Sequence, residues 1–323
     1  MKKNPVSIPH TVWYADDIRR GEREAADALG LTLYELMLRA GEAAFQVCRS
    51  AYPDARHWLV LCGHGNNGGD GYVVARLAKA VGIEVTLLAQ ESDKPLPEEA
   101  ALAREAWLNA GGEIHASNIV WPESVDLIVD ALLGTGLQQA PRESISQLID
   151  HANTHPAPIV AVDIPSGLLA ETGATPGAVI NADHTITFIA LKPGLLTGKA
   201  RDVTGQLHFD SLGLDSWLAG QETKIQRFSA EQLSHWLKPR RPTSHKGDHG
   251  RVVIIGGDHG TAGAIRMTGE AALRAGAGLV RVLTRSENIA PLLTARPELM
   301  VHELTMDSLT ESLEWADVVV IGP

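Results

Sequence analysis

Chemistry in this chain is concentrated where glycines, amides and carboxylates crowd the ends of apolar runs. The densest case is GHGNNGGDG, residues 63–71, which follows the run HWLVLC (57–62) and opens a helical stretch. Successive glycines let backbone N–H groups turn inward, and a helix N-terminus adds partial positive charge, so this turn predicts an anion site. Gly63, Gly65 and Gly68 satisfy G-x-G-x-x-G, the spacing of a dinucleotide turn. Yet Asn66, Asn67 and Asp70 put polar side chains where such a turn needs bare backbone. No ribose-binding acid is evident about twenty residues on, because Glu84 begins the next apolar run instead of ending it. A simple glycine turn with Asp70 as a helix cap is the plain alternative.

Two further acids finish apolar runs. Asp130 closes DLIVD before ALLGTGLQQ, and Asp163 closes PIVAVD before IPSG. In an open parallel sheet, ligands gather outside the carboxyl ends of the strands, so Asn67, Asp130 and Asp163 are expected to share one crevice. Either acid alone reads equally well as a cap for the next helix. Asp130, Asn67 and Ser166 make an all-oxygen set, which suits Na⁺, K⁺, Mg²⁺ or Ca²⁺ and not zinc. His245 and His249 are poorly matched as ligands, since Gly247 and Gly250 oppose the helix that would align them. Cys62 reads as a small buried hydrophobe. Neither G-x-S-x-G nor a G-x-x-x-x-G-K-[ST] loop is present.

The elements that must hold these residues follow from the apolar rhythm. Leu33, Leu36, Met37, Ala40 and Ala44 recur at helical spacing. From His57, runs rich in Val, Ile and Leu alternate with helical segments: 57–62, 84–89, 126–133, 158–164 and 185–190. Continuous apolar runs are strands buried on both faces, and helices between them are crossovers, which predicts an α/β parallel sheet in three layers. The grammar restarts after a polar stretch, with RVVIIGG (251–257), a helix from Thr261 to Ala275, GLVRVL (278–283) and DVVVIGP (317–323). Two modules are expected, residues 1–220 and 221–323. The second would have about three strands, few for an open sheet, so it is expected to be incomplete.

Length and composition agree: 323 residues suit about two domains, and 44% apolar with 21% charged residues is ordinary for a globular protein. The net charge of −11 disfavours nucleic acid and anionic membrane as partners. Two cysteines cannot build a disulfide framework, the N-terminal lysines lead into no apolar segment, and no run is long enough to span a membrane. A cytoplasmic protein is expected.

GNNGGDG (65–71), DALLGTG (130–136), VDIPSG (162–167) and TFIALKPGLLTGKARDVTGQLHFDSLGL (187–214), with LMLRAGEAAF (36–45), resemble the epimerase half of the bifunctional NAD(P)H-hydrate repair enzymes. SHKGDHGRVVIIGG (244–257) and GTAGAIRMTGEAALRAGAGLVRV (260–282) resemble the start of that family's ADP-dependent dehydratase half. The resemblance implies a Rossmann-like first module and a partial ribokinase-like second one. It implies two small-molecule substrates, NADHX and NADPHX, the hydrates of NADH and NADPH, whose R and S forms at C6 the first half interconverts. The second half dehydrates the S form with ADP and Mg²⁺. Carried over, Asn66, Asn67, Gly68, Gly69 and Asp70 bind the hydrate, as do Gly134, Thr135, Gly136, Leu137, Gln138, Gln139, Ala140 and Asp163. Asn67, Asp130 and Ser166 hold K⁺, and Asp163 is the expected catalytic residue. Ala264 and Gly322 would begin the second hydrate site. The family's later motifs, including an HPGE-like segment and a G-x-G-D, would follow Pro323, so no dehydration is expected from this chain alone. A homo-oligomer is expected. A nicotinamide-dependent dehydrogenase and a non-catalytic nucleotide-binding module are the rival readings.

Overall fold

The computed structural model describes residues 8–322 apart from 118, 119, 123, 224 and 229. Expectations resting on residues 1–7 and on Pro323 lie outside the described residues. The chain divides into two units, Met1–Ala230 and Glu231–Pro323. Among the described residues no helix is long and apolar enough to cross a membrane.

The first unit opens with β1 (Thr11–Val12), α1 (Ala15–Ala28) and α2 (Leu33–Ala51). Thr32 caps α2, its hydroxyl accepting from Glu35 N at 3.1 Å while Glu35 Oε2 accepts from Thr32 N at 2.7 Å. Then come β2 (His57–Cys62), α3 (Asn66–Ala80), β3 (Glu84–Ala89), α4 (Glu98–Asn109), β4 (His115–Ala116), β5 (Leu127–Ala131), α5 (Glu143–Thr154), β6 (Ile159–Val162), β7 (His184–Phe188) and β8 (Gln206–Asp210). These strands form one parallel sheet in the order β4-β3-β2-β5-β6-β7-β8. The chain winds one way from β2 and the other way from β5, which makes a switch point between those two strands. A short helix α6 (Ala200–Val203) lies between β7 and β8, α7 (Asp215–Ala219) follows β8, and β9 (Ile225–Gln226) pairs antiparallel with β1.

Side chains alternate across the sheet. Trp58, Val60 and Cys62 pack with α2, α3 and α4 on one face, while Leu59 and Leu61 pack with α5 on the other. The expected three layers are present. Both strand runs 57–62 and 84–89 stand at their expected bounds. Asp130 lies inside β5, opposite Leu61 and Ala161, one place before the strand ends. Strand β8 was not expected, because QLHFD is only half-buried at the sheet edge.

The glycine segment departs from a loop. NNGGDG is the first part of α3, and its glycines answer to packing: a Cβ on Gly69 would meet Met37, and one on Gly71 would meet Ala131 and Cys62. Asp70 therefore lies inside the helix and does not cap it. Close approach is tightest at Gly63, where a Cβ would lie 1.7 Å from Leu132 O, and at Gly68, where it would lie 2.1 Å from Gly63 O.

In the second unit, α8 (Ala230–Trp236) starts at the boundary, and β10 (Arg251–Ile255), α9 (Ala262–Ala275), β11 (Leu279–Thr284), α10 (Ser286–Ala295), β12 (Met300–Glu303), α11 (Met306–Trp315) and β13 (Val318–Ile321) follow. Its parallel sheet runs β12-β11-β10-β13 over a core that includes Ile254, Ile265, Val282 and Leu292. This is four strands where about three were expected. The additional one, MVHE, is short and largely exposed, so it carries no apolar run.

The two glycine contacts give a stability test. Gly63→Ala should destabilise the first unit by about 3 kcal/mol through forced displacement of the β5 turn. Gly65→Ala, with nothing within 4 Å of a new Cβ, should stay within about 0.5 kcal/mol of wild type. Urea unfolding of the two variants makes the comparison, and equal midpoints would contradict the packing role.

Candidate active site

At the switch point the tips of β2, β5, β6 and β7 open on a cavity of about 550 Å³. The β2–α3 connection brings His64 and Gly65, the start of α3 brings Asn66, Asn67 and Asp70, and the segment after β5 brings Leu132 to Leu137. Asp163 stands just after β6, and Phe188, Ile189 and Lys192 stand at and beyond the end of β7. Helices α1 and α2 add Glu22, Leu36, Met37 and Ala40. Of the residues singled out in the sequence, Asn66, Asn67, Asp70, Gly134, Thr135, Gly136, Leu137 and Asp163 line this one cavity. Gly68 and Gly69 face protein, and Gln138, Gln139 and Ala140 are exposed outside the lining. Ala264 in α9 and Gly322 after β13 belong to the second unit.

Asp130 and Ser166 are fully buried and bound to each other. Ser166 Oγ donates to Asp130 Oδ1 at 2.6 Å, and Ser166 N donates to Oδ2 at 2.8 Å. Leu133 joins this pair to the cavity: its N–H donates to Ser166 Oγ at 2.8 Å and its carbonyl accepts from Asn67 Nδ2 at 3.0 Å. Asn67 Oδ1 is buried without any donor. Buried acceptors are ordinarily satisfied, so this oxygen marks the place of something electropositive. One buried carboxylate, an amide oxygen, a hydroxyl and a carbonyl fit a weakly charged hard cation. Burial pushes the Asp130 carboxyl up to about 6 from 3.8, against the hydrogen bonds from Ser166.

Asp163 is held differently. Its Oδ1 accepts from Lys192 Nζ at 2.5 Å and from Thr187 Oγ1 at 3.1 Å. Lys192 was not anticipated, although one signal was available: it is the sole charged residue between Asp183 and Lys199. Asp163 also has φ 65, in the left-handed region. Ile189 (φ 64) and Leu212 (φ 55) share that conformation, each just past the end of β7 or β8, and all three line the cavity. Each such residue that is not glycine costs about 1 kcal/mol or more, and strain of this kind gathers at functional sites.

Charge in the cavity is lopsided. Glu22, Asp70, Glu99 and Asp163 face Lys192, and Arg19 is paired with Asp16. Burial, then the nearby Asp163 and Glu22 charges, raise Asp70 well above the ordinary carboxylate range, with Lys192 opposing. Glu22 is raised too, by burial first and Asp163 second. Among the described residues no hydrogen bond reaches the Asp70 carboxyl. A carboxyl raised by burial and a lysine-paired carboxylate thus share one chamber, an arrangement suited to moving a proton.

The Asp130 shift sets a pH test. A carboxyl whose folded pKa exceeds its unfolded value stabilises the fold below the unfolded value and loses that contribution as pH rises through about 6. With a bulky organic ion as the only cation, wild type should gain up to about 3 kcal/mol relative to Asp130→Asn as pH falls from 7 toward 4. Parallel urea-stability profiles for the two proteins would show that Asp130 carries no such penalty.

Residues 33–194 match the family model described as YjeF-related protein N-terminus, and residues 252–323 match one described as NAD(P)H-hydrate dehydratase. The bifunctional NAD(P)H-hydrate repair enzyme Nnr of Escherichia coli (strain K12) is 99% identical over 323 residues, which is 100% of this chain and 63% of that protein. The bifunctional NAD(P)H-hydrate repair enzyme of Leishmania braziliensis is 49% identical over 97% of this chain and 58% of its own length. The chain therefore spans less than two thirds of the length of these relatives. The crystal structure of yeast ynu0 matches with a TM-score of 0.52 at 23% identity, over 61% of this chain and 86% of that one, a likeness of fold. The first of those family models covers half of the chain, and the chain belongs to the YjeF-related protein N-terminus family.

Proposed function

We propose that residues 1–220 form an NAD(P)H-hydrate epimerase and that residues 221–323 form the opening part of a ribokinase-like, ADP-dependent dehydratase. The observation that carries the first half is the single cavity that joins Asn66, Asn67, Asp70, the 134–137 loop and Asp163. The hydrate lies there with its phosphates toward the α3 N-terminus and its nicotinamide ring toward Asp163. Gln138, Gln139 and Ala140 extend the binding loop beyond the chamber.

Inversion at C6 proceeds in this reading by loss and return of water. The C6–O bond breaks, its electron pair leaves with oxygen, and a carboxylic acid supplies the proton that makes water. The ring nitrogen shares the positive charge left on C6. Water then adds to the opposite face and gives its extra proton to a carboxylate. Asp163 takes the proton-moving role, and Asp70, whose burial favours its neutral form, is the complementary donor. The Asp163 carboxylate in the chamber wall favours positive charge on the ring.

K⁺ is the proposed cation, held by Asn67, Asp130 and Ser166. Its charge would fix the 133–136 segment against the hydrate. The orphaned Asn67 Oδ1 supports this assignment. ADP and Mg²⁺ belong to the dehydratase half, with Ala264 and Gly322 at the start of its hydrate site. A cytoplasmic location and self-association complete the reading. The two buried free thiols, Cys48 and Cys62, are in keeping with a reducing compartment.

A dehydrogenase is less well supported, because Glu84 begins β3 instead of ending it, so no acid follows the glycine turn where one would hold the ribose. The test compares R-to-S conversion of the hydrate by wild type and Asp163→Asn under conditions where spontaneous conversion is slow. The variant should lose about 10²–10⁴-fold in rate while still binding hydrate, and equal rates would remove Asp163 from the mechanism. Replacing K⁺ by a bulky organic cation should weaken hydrate binding, measured by calorimetry. Unchanged affinity would remove the cation assignment.

A further inference from the structure

Lys192 stands in the wall of the chamber but is only 3% exposed. A buried ammonium is tolerated when each of its protons finds an acceptor. Here all three do: Nζ lies 2.5 Å from Asp163 Oδ1, 2.9 Å from Thr187 Oγ1 and 2.9 Å from Phe188 O. No proton is left to reach a ligand. Thr187 in turn donates to Asp163 Oδ1 at 3.1 Å. That oxygen therefore accepts two bonds, while no described donor reaches Oδ2. The Asp163 backbone is left-handed, at φ 65, a conformation that needs support from its surroundings. Its N–H donates to the Ile186 carbonyl of β7 at 2.7 Å, and Lys192 holds its carboxylate from beyond the end of that strand.

We infer that Lys192 is a positioning residue: it ties one oxygen of Asp163 to Thr187 and the Phe188 carbonyl, leaving the other oxygen presented to C6 of the bound hydrate. The inference rests on the epimerase reading above and adds the residue through which Asp163 acquires its aim. Lys192 forms and breaks no bond in the reaction. Its effect reaches the substrate only through Asp163.

The experiment is a double-variant cycle on wild type, Lys192→Met, Asp163→Asn and the combination, with turnover and equilibrium hydrate binding measured separately. In Lys192→Met, kcat should fall about 10²-fold while hydrate affinity stays within about threefold. Once Asp163 is replaced, loss of Lys192 should change kcat by less than about twofold further. Ethylammonium should restore part of the rate to Lys192→Ala and none to Asp163→Asn. Wild-type kcat in Lys192→Met, a weakened affinity with kcat intact, or additive losses in the cycle would each overturn the inference. Should Lys192→Met fail to fold, Lys192→Gln takes its place: a shorter amide with two N–H groups cannot bond Asp163 Oδ1, Thr187 Oγ1 and the Phe188 carbonyl together, so kcat should still fall at least about tenfold with affinity kept. A wild type that converts no hydrate sinks the epimerase reading itself, whereas an active wild type indifferent to Lys192 sinks only this inference.

Discussion

The first unit depends on one close approach, the contact between the turn after β2 and the turn after β5. The Gly63 backbone lies so near the Leu132 carbonyl that no side chain fits between them, and Gly68 lies almost as near the Gly63 carbonyl. This contact closes the point where the sheet reverses its winding direction. It starts α3 directly beneath the neighbouring strand tip, so Asn67 Nδ2 reaches the Leu133 carbonyl and Leu133 N reaches Ser166. Any looser spacing would separate the amide, the hydroxyl and the Asp130 carboxylate.

Around that point the site divides into two electrostatic compartments. In one, Asp130 is fully buried with only neutral donors around it, and burial prevails over its hydrogen bonds. In the other, Asp163 has a partner of opposite charge at bonding distance. Both carboxylates come from neighbouring strands with similar apolar lead-ins, and their surroundings alone set them apart. Two acids placed alike in the fold can therefore serve a cation and a proton separately.

Much of this was legible in the residues, for identifiable reasons. Strands β2 and β3 announce themselves because a strand covered on both faces has no need of polar positions. The meeting of Asn67 and Ser166 on Leu133 follows from the rule that strand carboxyl ends converge. What escaped has physical causes too. The NNGGDG segment is composed of turn-formers, and its helicity comes from tertiary packing against Met37, Ala131 and Cys62. Strands β8 and β12 lie at sheet edges, where half-exposure erases the apolar run. Lys192 follows a run that reads as plain core, and a lysine at such a place is ordinarily taken for a surface residue.

The three left-handed residues at the strand ends have a consequence for how this site can vary. A core position accepts almost any apolar residue of similar volume, because its backbone is ordinary. At positions 163, 189 and 212 the main chain itself screens the alphabet, favouring glycine, asparagine and aspartate over every β-branched or bulky choice. Isoleucine and leucine persist at two of them against that preference. The wall they build is therefore one that drift would erode toward smaller residues, and a saturation library at these three codons would reveal whether shape or backbone ease governs the rim.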